Sequence, residues 1–594
     1  MRILSNVHQQ FAEYFNNELL KPYIYLLSKR LSEGHICLNL NELQAAELEE
    51  VDYGDIGTPV SLIEDPMVSD GSQRTPFILR HNQFYLQRYF QYETTILDQI
   101  REFIEADNAQ LDQRLTYLRS QKELIKDLFL THVSNNPAIA AVNWQWVATV
   151  SAILHQFTII TGGPGTGKTT TVAKILAVLF AMQPDLKVAL CAPTGKAAAR
   201  MAESLKQVAN IGNENLKAKF EALKPSTIHR LLGTIPNSPF FKHNRDNTLD
   251  YDVIIVDESS MIDLALLAKL MDAINPTTKL MLLGDKDQLA SVEAGSLFGD
   301  LCGAQTVLNQ FSGSTVALIN EFLPEGAQPL NADINSDAPR HLLFEHIIEL
   351  KKSHRFSDIE GIGKFSKAII GNDQDLIKEF FNNLDPQVEI DTAYSEKIFT
   401  EFIAGYADYI NETDIAAALK KLNNLRVLCA LREGDAGIYQ MNERIERYLQ
   451  DKGLIHKTEE YYLNRPIMVT SNNQELQLFN GDIGIIRMDK ELGVLKAWFD
   501  MGGGELKSIT PGFITQVETV YTMTIHKSQG SEFDKVLVVL PKNEGIQLLT
   551  RELLYTAITR AKKKVILQGS GEVILHTAEL FIHRGSGIIQ RMQE

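Results

Sequence analysis

The stretch GGPGTGKTT, residues 162–170, decides how this chain is read. It fits the pattern G-x-x-x-x-G-K-[ST], with Gly162, Gly167, Lys168 and Thr169 at the fixed positions. The apolar run FTII at 157–160 predicts a buried strand before it. Residues 170–181, with Val172, Ile175, Leu176 and Leu179, predict a helix after it. Glycines let the backbone wrap closely around phosphate oxygens, so that successive N–H groups and the helix N-terminus face the negative charge. The candidate nucleotide-binding residues are therefore Gly162, Gly163, Pro164, Gly165, Thr166, Gly167, Lys168, Thr169 and Thr170. Lys168 is placed to reach the β- and γ-phosphates, and the Thr169 hydroxyl to ligate Mg²⁺. A glycine-rich turn matching by chance would not carry a strand and a helix on its flanks. The stretch points to a nucleoside triphosphate.

Further segments serve the same chemistry. VIIVDESSM (253–261) runs four apolar residues into two carboxylates, at the strand end where α/β sheets bind ligands. Asp257 suits the Mg²⁺ shell, and Glu258 suits deprotonating an attacking water. A strand-ending acidic pair alone means little; downstream of a phosphate loop it reads as catalytic. In LLGDKDQL (282–289), Gln288 is a candidate to contact the γ-phosphate or that water. SHRF (353–356) and YTAITRAKKKV (555–565) supply Arg355 and Arg560, candidates to neutralise charge developing on the γ-phosphate.

At 594 residues the chain has room for about four domains. Its 44% hydrophobic and 22% charged residues are those of an ordinary globular protein. No apolar run approaches the ~18 residues that span a bilayer, and MRILSNVHQQFAEYF carries polar residues too early for a secretory signal. The expectation is a cytoplasmic protein with no membrane partner. Cys37, Cys191, Cys302 and Cys429 form no C-x-x-C pair and read as buried free thiols. The net charge of −17 sits awkwardly with nucleic acid. Either a basic groove is confined within an acidic exterior, or that exterior faces a basic protein partner.

Residues 1–115 show helical patterning, as at 11–27, with a break at Pro22, and at 92–103, where Ile96, Ile100 and Phe103 share a face. With 51–77 read as loop, this predicts a helical N-terminal domain for docking a partner or capping the fold. From 116 the runs FTII, VALCAP (188–193), VIIVDE (253–258) and KLMLLGD (279–285) alternate with helical segments, the mark of a parallel α/β sheet. Residues 321–339 read as a long surface loop. A second α/β series, 353–594, contains VLCAL (427–431), VLVVLP (536–541) and KVILQG (564–569). Short strands separated by turns at about 466–520 predict a small β-barrel inserted into it.

In one order the chain carries GGPGTGKTT, APTGKAAARM (192–201), STIHRLLG (226–233), VDESSMID, LLGDKDQLASVEAGSLFGDL (282–301), SHRF, TIHKSQGSEFDKVLVVLP (524–541) and LLYTAITRAK (553–562). That series resembles the superfamily 1 DNA helicases, and among them the RecD family, α subunits of exodeoxyribonuclease V (the RecBCD enzyme). It spans residues 145–562; before that, GHICLNL (34–40) is weaker support. The resemblance implies two RecA-like domains with ATP between them, at 116–352 and 353–594, and an SH3-like β-barrel insertion. It implies that Gln145 reads the adenine, and that Lys168, Thr169, Asp257, Glu258, Gln288, Arg355 and Arg560 form the catalytic set. Thr194, Lys196, Thr227, His229, Thr524, His526 and Lys527 match positions that line the single-strand path or couple it to ATP, and Gln529 and Gly530 match the motif bridging both. For His229 and His526 a place in the core is the alternative reading.

The family's implied activity is 5′ to 3′ translocation on DNA by a motor subunit bound to RecB- and RecC-type partners. A free-standing helicase is the second reading, disfavoured because only about 140 residues precede Gln145. A protein-remodelling ATPase would not need STIHR and TIHKSQG together. Asp500 with Glu505 and Lys507 faintly resembles a metal nuclease set, but in a turn-and-strand context it reads as solvated surface. Cutting is expected from a RecB-type partner.

Overall fold

The computed structural model describes residues 6–43, 59–130, 142–208, 214–324 (without 292 and 296), 327–331, 341–542 (without 474, 503 and 504), 545, 548–582 and 584–593. The expected strand before the glycine-rich loop forms at Phe157–Thr161, and the sheet it belongs to organises the first half of the chain.

The N-terminal module precedes that sheet. The expected helix at 11–27 is two helices, Val7–Tyr14 and Lys21–Ser32, and the break falls at 15–20, before Pro22, which sits in the first turn of the second. A proline's missing N–H costs nothing there. They pack on a four-stranded sheet of β1 (Leu38–Asn39), β2 (Val68–Ser69), β3 (Phe77–Arg80) and β4 (Gln83–Leu86), in the order β1-β4-β3-β2. The expected all-helical domain is thus corrected. His81 and Asn82 both have positive φ, at 51° and 59°, and join β3 to β4 in a tight hairpin. Of the expected loop at 51–77, residues 51–58 lie outside the described residues, and 59–64 form a short 3₁₀ helix.

A helix of 34 residues, Gln87–Ser120, follows. The expected boundary at 115/116 falls inside it. Its Ile96, Leu97, Ile100 and Phe103 bury against Phe157 and Ile159 of the first parallel sheet, and Phe103 stacks on Phe157 at 6.0 Å. Apolar packing therefore assigns this helix to the first parallel sheet, not to the N-terminal module. Asp107 fastens it to the lower edge of the sheet, accepting from Arg114 Nη1 at 2.7 Å and the Gln156 N–H at 2.6 Å, and pairing with His155 at 3.2 Å.

The first parallel sheet comprises β5 (Phe157–Thr161), β6 (Val188–Ala192), β7 (Ser226–Thr227), β8 (Val253–Val256), β9 (Lys279–Gly284) and β10 (Ile347–Glu349), in the order β10-β5-β9-β8-β6-β7. β5, β8 and β9 are buried throughout, as their unbroken apolar runs dictate. Apolar cores cover both faces. Within the expected surface loop at 321–339, residues 325–326 and 332–340 lie outside the described residues. The described part is not solvated throughout: Leu330 is buried and its backbone is held by the Asn320 amide at 2.8 and 2.9 Å.

The second half begins with β11 (Val388–Asp391) and β12 (Leu425–Cys429). An antiparallel insertion follows: β13 (Pro466–Val469), β14 (Ile483–Asp489), β15 (Val494–Asp500), β16 (Leu506–Ile509) and β17 (Val517–Thr519), in the order β16-β15-β14-β13-β17, with its own small core. β18 (Thr522–Thr524), β19 (Phe533–Val539) and β20 (Ala561–Gln568) complete a parallel sheet in the order β11-β20-β19-β12-β18. Asp500 and Glu505 are exposed in the β15–β16 hairpin, where Asp500 pairs with Leu506. All four cysteines are buried and free. Among the described residues no helix is long and apolar enough to cross a membrane.

The end of the chain does not stay with the second sheet. Gly585 pairs with Ile36 and His35 of the N-terminal module, and Ile588 and Met592 join the core under the first sheet. Arg591 lies beside the fully buried Glu93, at 3.1 Å. The expected extent of the second domain, to 594, is corrected to that degree.

Candidate active site

The glycine-rich loop leaves β5 at Thr161 and enters the helix Lys168–Met182 at Gly167. Gly165 and Gly167 have φ of 78° and 85°. A Cβ on Gly165 would meet the Cβ of Arg355, and one on Gly167 would meet the Gln145 amide nitrogen. Both glycines are thus required by conformation and by close approach. Lys168 Nζ donates to Gly162 O at 2.6 Å, Thr166 Oγ1 to Gly163 O at 2.8 Å, and Gln145 Nε2 to Thr166 O at 3.0 Å.

This loop forms one wall of a cleft of about 450 Å³. Gln145, Pro164, Gly165, Thr166, Gly167, Lys168, Thr169, Thr170, Asp257, Glu258, Gln288, Arg355 and Arg560 all line it, whereas Gly162 and Gly163 are not among its lining residues. All of the expected nucleotide set but these two glycines is therefore gathered at one place. Asp257 follows β8, and Glu258 adopts a left-handed φ of 53°. Such a conformation costs of order 1–3 kcal/mol in a residue with a side chain and persists where the surroundings impose it. Burial, with the Glu258 charge beside it, pushes the Asp257 carboxyl up to about 6. The Thr169 hydroxyl and the Asp257 carboxylate are hard oxygen donors lining the same cleft, the ligand type Mg²⁺ takes.

The opposite wall comes from the second half. Arg560 is buried, donating to Thr556 O at 3.1 Å and Ser531 O at 3.3 Å. Ser353 Oγ donates to Pro164 O at 3.0 Å and the His354 N–H to Gly165 O at 2.8 Å, which clamps SHRF onto the loop. Arg355 Nη2 donates to Glu532 at 2.6 Å, while its buried Nη1 has no partner among the described residues. Arg200 pairs with the same Glu532 and with Gly530 O at 3.1 Å. Burial alone would raise Glu532, but the Arg200 and Arg355 charges override it and hold it at about 2.

Residues expected on a single-strand path sit at the strand ends. Thr194, Thr227 and Thr524 each accept from a backbone N–H three residues on, at 3.2, 3.2 and 3.3 Å, and so cap the turns that follow. His229 and His526 are exposed, so neither is a core histidine; His229 stands edge-on to Phe241 at 5.7 Å. The insertion reaches this region. Phe479 packs on Gly195 and under the Arg230 guanidinium at 4.3 Å, Lys527 Nζ donates to Asn480 at 2.8 Å, and burial with nearby Arg426 and Arg200 lowers Lys196 to about 8. Gln529 Nε2 crosses from the second sheet to Leu289 O at 2.7 Å.

Four contributors escaped sequence reasoning: Arg200, Asp285, Glu532 and Tyr555. Each lies within a quoted motif, but its partner is remote: Asp285 accepts from Tyr555 OH at 3.0 Å across 270 positions.

A phosphate-binding loop on one parallel sheet, met by an arginine from a second, defines a P-loop ATPase motor of the superfamily 1 helicase class. Family comparison agrees: an AAA domain matches residues 145–294, a UvrD-like helicase C-terminal domain 519–568, and the RecBCD enzyme subunit RecD N-terminal domain 1–85. The RecBCD enzyme subunit RecD of Mycolicibacterium smegmatis is 33% identical over 584 residues, covering 96% of this chain and 93% of that protein. Its counterpart in Mycobacterium tuberculosis H37Rv is 34% identical over 505 residues, 81% of each. The chain belongs to the RecD family. Among solved structures, Bacteroides Pif1 bound to ssDNA aligns with a TM-score of 0.36 at 16% identity, covering 73% of this chain and 94% of that one.

Proposed function

We propose that this chain is the ATP-dependent, 5′ to 3′ DNA helicase motor subunit of a RecBCD-type helicase–nuclease, acting at double-strand breaks in repair and recombination. One observation carries the reading: a single cleft takes Lys168, Asp257 and Glu258 from the first sheet and Arg560 from the second. Whatever fills that cleft is sensed by both halves, so nucleotide turnover changes their separation.

In this reading Gln145 reads the adenine, and Lys168 with the loop N–H groups holds the β- and γ-phosphates. Thr169 and Asp257 hold Mg²⁺, which supplies charge neutralisation at the phosphates. Glu258 accepts the proton of the attacking water, Gln288 orients that water, and Arg355 and Arg560 neutralise charge developing on the γ-phosphoryl oxygens. Thr194, Lys196, Thr227, His229, Thr524, His526 and Lys527 grip the phosphates of one strand without reading its sequence, with Gln529 linking grip to cleft. The two parallel sheets are the RecA-like domains, and the insertion is an SH3-like barrel beside the strand path. The N-terminal module docks the chain on RecB- and RecC-type partners, consistent with a net charge of −17 that does not suit an open DNA surface.

Unwinding of duplexes with a 5′ or a 3′ overhang, by the chain alone and with RecB- and RecC-type partners, tests this. Strong 5′-overhang unwinding that needs the partners supports it. Full processive activity from the lone chain favours a free-standing helicase instead.

A further inference from the structure

Gln288 has only one of its amide atoms engaged. Its Nε2 donates to Asp285 Oδ2 at 3.0 Å, whereas its Oε1 is buried, has no partner among the described residues, and belongs to a side chain lining the nucleotide cleft. An amide held by its nitrogen presents its oxygen, and an oxygen can only accept. The same carboxylate oxygen of Asp285 accepts a second hydrogen bond, from Tyr555 OH at 3.0 Å. Tyr555 is on the helix Arg551–Ile558 of the second half, and its hydroxyl lies 3.0 Å from where a Cβ on Gly163 would stand. The other oxygen, Asp285 Oδ1, accepts the Asp287 N–H at 3.1 Å. One residue past Gln288, both backbone groups of Leu289 are tied across the same boundary: its N–H donates to Thr556 Oγ1 at 2.9 Å and its carbonyl accepts from Gln529 Nε2 at 2.7 Å.

From this relay we infer that Tyr555 is a positioning residue for ATP hydrolysis, acting through Asp285 to fix the Gln288 amide with Oε1 toward the attacking water. When the two halves close, Tyr555 OH and the Leu289 ties hold Asp285 and Gln288 in register. When they part, the Tyr555 bond breaks and the Gln288 amide is free to turn. Water orientation is thereby conditional on closure, and hydrolysis waits for the DNA-bound, closed arrangement. The inference rests on the nucleotide-cleft reading above and adds to it the device by which the second half reports closure.

The test is steady-state ATP hydrolysis by the full chain with single-stranded DNA, comparing wild type, Tyr555→Phe, Asp285→Asn, Asp285→Ala and Tyr555→Phe/Asp285→Ala. Phenylalanine keeps the buried ring and removes only the hydroxyl. Expected for Tyr555→Phe is an ATP KM within about twofold of wild type and a DNA-stimulated kcat about tenfold lower, an orientation effect and not a binding one. Asp285→Asn retains an oxygen for Tyr555 and Gln288 and loses less than Asp285→Ala. The double variant is no slower than Asp285→Ala alone, because residues in one relay are not additive. A wild-type kcat in Tyr555→Phe, or full additivity in the double variant, overturns the inference. Lys168→Gln run alongside separates the two readings: if it abolishes turnover while Tyr555→Phe is unaffected, only the relay fails. If Lys168→Gln turns over normally, the cleft reading fails with it.

Discussion

At the scale of single residues, the loop is where sequence and structure agree most closely, because its chemistry tolerates so few alternatives. Gly167 has a left-handed φ and no room for a Cβ beside Gln145. Gly167→Ala therefore strains the loop by about 1–3 kcal/mol and displaces Gln145. We expect at least a tenfold loss of ATP affinity, read by equilibrium binding, with the far-UV spectrum unchanged. The grouping of Lys168, Thr169, Asp257, Glu258 and Gln288 was legible because fixed spacing places them just beyond strands or at the start of the helix after the loop. Glu532 and Tyr555 were not, although both stand inside quoted motifs. Their roles come from what they touch, and a single sequence does not record that Glu532 meets Arg200 or that Tyr555 meets Asp285.

At the scale of elements, strands of unbroken apolar residues were readable and short ones were not. β5, β8, β9, β12 and β19 stand where the apolar runs predicted them. β7 has two residues and β10 and β18 three each, too few for any periodicity to show. The β3–β4 hairpin was hidden for another reason, its two-residue turn His81-Asn82 carrying no glycine to mark it. Of the long helix Gln87–Ser120 only the part at 92–103 was visible, and not which core it serves. The C-terminal strap was also invisible, since Arg591 finds Glu93 across 498 positions. Arg591→Ala would leave Glu93 buried without its cation, and we expect a loss of about 3–5 kcal/mol in folding stability. Chemical denaturation checks this, and a change under 1 kcal/mol contradicts it.

At the scale of the whole molecule, polar contacts at the nucleotide cleft join the two halves, beside the C-terminal contacts under the first sheet. Glu532 is central, meeting Arg200 and Arg355 at once. Because its folded pKa, about 2, lies below the usual 4.5, its contribution is complete above pH 4.5 and is lost as pH falls toward 2. The shift corresponds to about 3 kcal/mol, taken as an order of magnitude. Glu532→Gln should lower stability at neutral pH and flatten the acid limb between pH 4.5 and 2. A variant whose acid limb superimposes on wild type would remove Glu532 from that role.

In the proposed function, one ATP cleft shared by two halves drives movement on DNA. ATP hydrolysis by the full chain with Mg²⁺, measured with and without single-stranded DNA and repeated with Lys168→Gln, tests it most directly. Hydrolysis is expected to be stimulated severalfold by DNA, with at least about a hundredfold lower turnover in Lys168→Gln. Hydrolysis indifferent to DNA, or undiminished in Lys168→Gln, would contradict it.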